Sequence, residues 1–280
     1  MGSYSPTPAP EILPPDAGSV PPTQAVRRSR PSAPATYLLV GINCAVFLAM
    51  VVHGVSAGSP TTDQLMQWGA DNAGAVLNGG QWWRIVSAMF VHVGILHLAT
   101  NMWCLWNLRL LAEPLLGSTG VVAAYILTGA AGNLLSTFVN WMSFPDARGS
   151  VGGVLFPAGA GASGAVFGLA GVLIVLLKSQ RLPVPPLELK KLRKSVIYFA
   201  AINLVIGFTI SFGAAAAGSG LRIDNMAHLG GFSSGLLFAA PLVPRLGSPR
   251  RLFNVRLRFA VVGLVGLLVL FGFYLAQLPG

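Results

Sequence analysis

Apolar stretches long enough, or nearly long enough, to cross a bilayer recur along this chain, and they restrict it to a bundle of membrane helices. A span needs about 20 predominantly apolar residues, and a shorter one suffices where a helix begins inside the protein. Seven segments meet that description: Tyr37–Val55, Val93–Leu111, Val121–Trp141, Ala162–Leu177, Val196–Phe212, Met226–Leu242 and Phe259–Leu278. Charged residues make up only 9% of the chain. Soluble domains carry about 25%, so lipid is the expected solvent.

The formal charge of +10 would also suit a nucleic-acid partner. Its distribution excludes that reading. Arg27, Arg28 and Arg30 precede the first span, and Arg109 is expected in the turn-around at the end of the second. Lys178, Arg181, Lys190, Lys191, Arg193 and Lys194 fall between spans four and five. Arg245, Arg250, Arg251, Arg256 and Arg258 fall between spans six and seven. These share one side of the membrane, and only Arg84, Arg148 and Arg222 fall on the other. The positive-inside bias then sets the N-terminus in the cytoplasm and the C-terminus outside. The absence of an amphipathic Arg/Ser presequence points to a bacterial plasma membrane.

Residues 1–34 are rich in Pro, Ser, Thr and Ala without hydrophobic period, and read as a disordered cytoplasmic tail. Residues 35–245 read as a six-helix membrane core. Residues 246–280 read as a basic cytoplasmic loop followed by the seventh span. The external segment from Ala57 to Val91 is expected to fold onto the bilayer surface, with Trp82, Trp83 and Arg84 at the interface. Pro183, Pro185 and Pro186 are expected to exclude helix from the link between Lys178 and Lys194. Cys44 and Cys104 read as small buried hydrophobes, and no Cys/His spacing suits zinc.

Polar groups inside spans are costly and mark function by default. His97 and Asn101 lie one turn apart on one helix face, with His92 at the mouth of that helix. Ser163 opens the fourth span and His228 lies near the start of the sixth. The basic residues at the helix ends set their depths. Ser163 stands roughly 22 Å above Lys178, His228 roughly 25 Å above Arg245, and His97 roughly 18 Å above Arg109. In a hydrocarbon core of about 30 Å, three helices thus place polar groups at similar depth in the outer half. Ser136, Ser195 and Ser211 have no comparable setting and read as structural or interfacial.

Glycines supply the means of approach. Gly161 and Gly164 remove bulk beside Ser163, and Gly231 and Gly235 lie on the His228 face of the sixth span. Two glycine-faced helices can meet backbone to backbone, which brings His228 within reach of Ser163. A serine hydroxyl becomes a useful nucleophile only with such a base beside it. No carboxylate lies inside a span, and Asp224 sits near the outer surface, so a Ser–His dyad is expected rather than a triad. His97, Asn101 and the Ser163 amide are candidate donors to a tetrahedral oxyanion.

Four elements in order resemble the rhomboid family of intramembrane serine proteases: Trp83–Arg84, the run His92, His97 and Asn101, the GxSG element Gly161-Ala162-Ser163-Gly164, and the AHxxG element Ala227, His228 and Gly231. The resemblance covers most of the chain from about Gln81 to Leu242. It implies an all-α polytopic membrane protein, a six-helix core plus one C-terminal helix. It further implies cleavage of single-span or polytopic membrane proteins near their extracellular ends, through an acyl-enzyme on Ser163, without cofactor or metal. In that pattern Phe167 lies beside the catalytic His228, and Gly231 and Gly235 pack the sixth helix on the fourth. The first loop would rest partly in the outer leaflet, and the fifth helix would gate substrate entry. Two other classes compete: a catalytically inactive client-binding relative, and a transporter built on His97, His228 and Asn101. Ser163 and His228 are both present, against the first. The polar cluster keeps to one side of the bilayer, against the second.

Overall fold

The computed structural model describes residues 33–148, 156–179, 181–182, 184–216, 224–246 and 248–278. Nearly all of the expected tail 1–34, with Arg27, Arg28 and Arg30, lies outside the described residues, as do Pro183 and Arg222 and the side chains of Ser211 and Arg245. The described residues form nine α-helices in the order α1 (Pro34–Val52), α2 (Thr62–Gln67), α3 (Ala73–Leu77), α4 (Arg84–Ser87), α5 (Ile95–Ser143), α6 (Ser163–Leu176), α7 (Pro186–Ala216), α8 (Asn225–Ala239) and α9 (Arg250–Ala276). Among them α1, α5, α8 with the turn that follows it, and α9 are long and apolar enough to cross a membrane. By length and composition these helices suit a lipid bilayer.

Helix α5 holds two of the expected spans in one continuous assignment. It breaks at Gly117, whose φ of 74° and ψ of 166° are open to glycine and costly for other residues. Pro114, three residues earlier, has already removed one backbone donor. The chain therefore reverses at Gly117, and its two arms run over 95–116 and 118–143. Arg109 lies inside the first arm, not in the turn-around, and its guanidinium stacks 4.2 Å from the Trp106 ring centroid. The N-terminus of α1 is held beside this turn by Glu113. Its carboxylate accepts the Ala35 and Thr36 amides and the Thr36 hydroxyl, satisfying donors that a helix start leaves open.

Helix α6 is the axis of the bundle. Eleven of its 14 residues are buried. At about 1.5 Å per residue it is roughly 21 Å long, short of the hydrocarbon thickness. It is therefore too short to cross that thickness alone, and Ser163 is its first residue. Helices α5 and α8 flank α6, with α1, α7 and α9 outside them. The outer faces carry exposed Leu48, Leu96, Trp103, Val205, Phe259 and Phe273. Such faces are what lipid solvates.

Three expectations need correction. Pro186 does not exclude helix but begins α7, because a first-turn proline lacks only a donor that would be unpaired anyway. The segment 57–91 is built of three short helices, and Arg84 within it is buried. Its Nη1 donates to the carbonyls of Met66 and Ala70 and its Nε to Gln81, so it staples the loop together. Of Trp82, Trp83 and Arg84, only Trp83, 54% exposed, faces outward as an interfacial residue would. Cys44 is exposed instead of filling the core, whereas Cys104 is half-buried and packs against it.

Candidate active site

The site is assembled where the start of α6 meets the first turn of α8. Small residues make that meeting possible. A Cβ on Gly231 would fall on the Gly164 carbonyl, and one on Gly235 on the Gly168 carbonyl. The second arm of α5 closes the third side in the same way. A Cβ on Gly132 would fall on the Ala227 carbonyl, and one on Gly129 would meet Met89 and Ala165. Gly129 and Gly132 did not figure in the sequence reasoning, although their three-residue spacing is the same small-residue signal.

Within this frame the Ser163 hydroxyl lies 2.8 Å from His228 Nε2. His228 is buried and Ser163 half-buried. The Phe167 ring, one turn beyond Ser163, stacks on the imidazole at 4.4 Å between centroids and 9° between planes. That contact fixes the ring plane, so Nε2 faces Ser163. The other nitrogen, Nδ1, is buried without a hydrogen-bond partner among the described residues. Asp224 is occupied elsewhere, capping α8 by accepting the Ala227 amide at 2.9 Å. Among the described residues the side-chain contact at this point joins two groups, the Ser163 hydroxyl and the His228 imidazole.

His97, Asn101 and His92 approach from the other side. The His97 ring lies against Gly161, whose φ of 131° also favours glycine. His97 Nδ1 accepts the Val93 amide at 3.4 Å, which leaves the proton of a neutral ring on Nε2. Asn101 donates through Nδ2 to its own helix, at the His97 carbonyl. Its amide nitrogen carries a second hydrogen that this bond does not use. His92 does not reach the Ser163 hydroxyl. Its Nδ1 faces the Phe90 carbonyl at 3.3 Å and its Nε2 accepts the Ala162 amide at 3.5 Å, holding the turn that precedes Ser163. This role was not visible in the sequence, because it depends on the loop 88–94 curling under 161–162. Burial pushes the His92 pKa from its usual value down to about 3, so the ring is neutral and can accept that amide.

A largely apolar cavity of about 380 Å³ opens beside His228 between α6, α7 and α8, lined by Phe167, Ile197, Ala200, Leu204 and Phe232 among others. Among the described residues no group of three or more His, Cys, Asp or Glu side chains could hold a metal ion. The chemistry available is that of a hydroxyl, an imidazole and nearby N–H donors.

Comparison with known proteins gives a consistent match. The Rhomboid domain family model matches residues 79–245. The chain is 32% identical over 240 residues to the Rhomboid protease GluP of Bacillus subtilis (strain 168), covering 85% of this chain and 40% of that protein. It is 29% identical over 180 residues to RHOMBOID-like protein 1 of Arabidopsis thaliana, covering 64% of this chain and 39% of that one. Against Rhomboid-like protease 2 of Toxoplasma gondii it is 27% identical over 202 residues, covering 71% and 61%. The chain thus spans about two fifths to three fifths of the length of these relatives.

Proposed function

The chain belongs to the rhomboid family, and on that premise we propose that it is an intramembrane serine endopeptidase working through a Ser163–His228 dyad. The observation that carries this reading is the 2.8 Å contact between the Ser163 hydroxyl and His228 Nε2, with Nδ1 unpaired. In the proposed reaction Ser163 Oγ attacks the scissile carbonyl while its proton passes to His228 Nε2. The carbonyl oxygen becomes an oxyanion, and the Ser163 amide, His97 Nε2–H and the second Asn101 N–H are the donors aimed at it. Such prepositioned donors remove roughly 3–4 kcal/mol each from a barrier of this type. The tetrahedral intermediate collapses when His228 returns the proton to the leaving amine, leaving an ester on Ser163. Water, deprotonated by the same imidazole, hydrolyses the ester and restores the hydroxyl.

The substrates would be membrane proteins, single-span or polytopic, cut near the extracellular end of a span. Three features support that side: the depth of Ser163 above the basic helix ends, the short α6 with Ser163 as its first residue, and the loop built of α2, α3 and α4 beside the site. The cavity beside His228 would take an apolar residue flanking the cut bond. The proposed organisation is a cytoplasmic tail 1–34, a six-helix core 35–245 and a C-terminal 246–280 with a seventh span. The N-terminus would be cytoplasmic and the C-terminus outside, in a bacterial plasma membrane. In proteoliposomes the protein should cleave a model single-span substrate; equal cleavage by Ser163→Ala sinks the reading and leaves the client-binding alternative.

A further inference from the structure

We propose that Asp71 and Asp224 together position the Ser163–His228 pair, acting as a proton-holding latch that ties the chain segments leading into both residues to one point on α5. The two carboxylates converge over Gly159. A Cβ there would lie 3.1 Å from Asp224 Oδ2 and 3.7 Å from Asp71 Cβ. Asp71 is buried and Asp224 half-buried. Neighbouring residues of α5 bind one each: Thr137 Oγ1 lies 3.0 Å from Asp71 Oδ2, and the Ser136 hydroxyl donates to Asp224 Oδ2 at 2.5 Å. Asn140 in turn donates to Ser136.

Each aspartate is tied to one half of the dyad, Asp71 through its backbone, with its carboxylate anchored on Thr137, and Asp224 through backbone and carboxylate together. Asp71 pairs with Gly159 through two backbone hydrogen bonds of 2.8 Å, and Gly159 lies four residues before Ser163. Asp224 caps α8, and its carbonyl accepts the His228 amide. Losing the anchor of either carboxylate on α5 therefore frees the aspartate whose backbone holds the segment before Ser163 or the start of α8 that carries His228.

The charged groups facing the pair are few among the described residues. Arg84 of α4 attracts the ionised form of Asp71, and Asp224 repels it. The α5 side offers only uncharged Ser136, Thr137 and Asn140, the Gly159 side only backbone, and α8 has His228 one turn further on. Burial, and next the nearness of Asp224, outweigh the Thr137 hydrogen bond and Arg84, raising the Asp71 pKa from 3.8 to about 7. Burial raises that of Asp224 as well. Below neutral pH Asp71 keeps its proton, and above it the carboxylate of Asp71 forms beside that of Asp224 over Gly159.

The linkage has a definite sign. The fold favours protonated Asp71, so this contribution is complete below about pH 4 and is lost as pH rises to about 7. An amide mimics the protonated acid and does not ionise. The test compares wild type with Asp71→Asn and, separately, Asp224→Asn, in detergent and in proteoliposomes. The unfolding midpoint of Asp71→Asn relative to wild type should climb by about 5 °C between pH 4.5 and 7.5, then level off. This arm needs no activity, so it stands apart from the protease reading on which the positioning role rests. In the second arm, wild-type kcat should fall by about threefold or more from pH 6 to pH 9 relative to either amide variant, with KM unchanged. A constant midpoint difference across pH overturns the latch. Parallel kcat profiles overturn the positioning role. Failure of both amide variants to fold also overturns it, since each keeps the shape of the protonated acid.

Discussion

The carbonyl oxygen of Gly164 occupies the place where a side chain on Gly231 would have to go. Ser163 directly precedes Gly164 at the start of α6, and His228 lies three residues before Gly231 on α8. The 2.8 Å contact of the dyad therefore depends on two backbones touching, because any spacer between the helices lengthens it.

The first prediction follows directly. Gly231→Ala must force α8 away from α6, and overpacking of this kind costs about 1–3 kcal/mol. Cleavage should fall by at least about tenfold, because hydrogen-bond reach is lost with a shift of under 1 Å. Gly263→Ala on α9, where an added Cβ meets nothing, serves as the control and should leave the rate unchanged. Rates measured on one model substrate decide it.

Phe167 tests how far the imidazole plane matters. Phe167→Leu keeps most of the volume and removes the flat face stacked on His228. Ring pairs of this kind contribute about 0.5–1.5 kcal/mol, which corresponds to a loss of about two- to tenfold in kcat. Phe167→Tyr should retain activity. Unchanged kcat in the leucine variant would show that other contacts hold the ring.

His92 makes a prediction about acid stability. Unfolded, its imidazole takes up a proton near pH 6.5; folded, it resists until about pH 3. Its folded-state contribution is therefore full above pH 6.5 and shrinks as pH falls toward 3. His92→Ala leaves the buried Ala162 amide unpaired at a cost of about 1–3 kcal/mol. That variant should melt at lower temperature at pH 7.5, and the deficit should narrow at pH 4.5. A deficit independent of pH would contradict a neutral folded His92.

Arg84 separates scaffold from catalyst. Arg84→Ala deletes three charge-assisted hydrogen bonds inside the loop 62–87, an expected loss of about 2–3 kcal/mol in stability. Arg84→Lys should rescue little, because one ammonium cannot span Met66, Ala70 and Gln81 as a planar guanidinium does. At low temperature both variants should keep kcat near wild type while their thermal midpoints drop. A lost kcat with an intact midpoint would give Arg84 a direct part in the reaction.

Much of this architecture can be read from the sequence because lipid imposes simple rules. Apolar length anticipated α1, both arms of α5, α6, α8 and α9, and the polar residues singled out on three of those spans include the Ser163 and His228 that the structure brings to 2.8 Å. Glycine spacing on two of those helices anticipated which faces would touch. What the rules missed lies where local chemistry overrides them. Pro186 starts a helix because a first-turn proline costs nothing there. Arg84 turns inward because three backbone and amide oxygens in its own loop satisfy it better than the interface can. The contacts of Asp71 with Thr137 and of Ser136 with Asp224 join residues 66 and 88 positions apart, and no periodicity records such contacts. His92 has the same character, since its partner Ala162 is 70 positions away.

The most direct test of the central claim is covalent labelling of Ser163 by a fluorophosphonate, located by mass spectrometry of the digested protein. An alkoxide-forming serine requires its base, so the adduct should appear on Ser163 in wild type and fall by at least about 100-fold in a folded His228→Ala variant. Equal labelling in the two proteins, or an adduct on another serine with Ser163 untouched, would contradict the dyad.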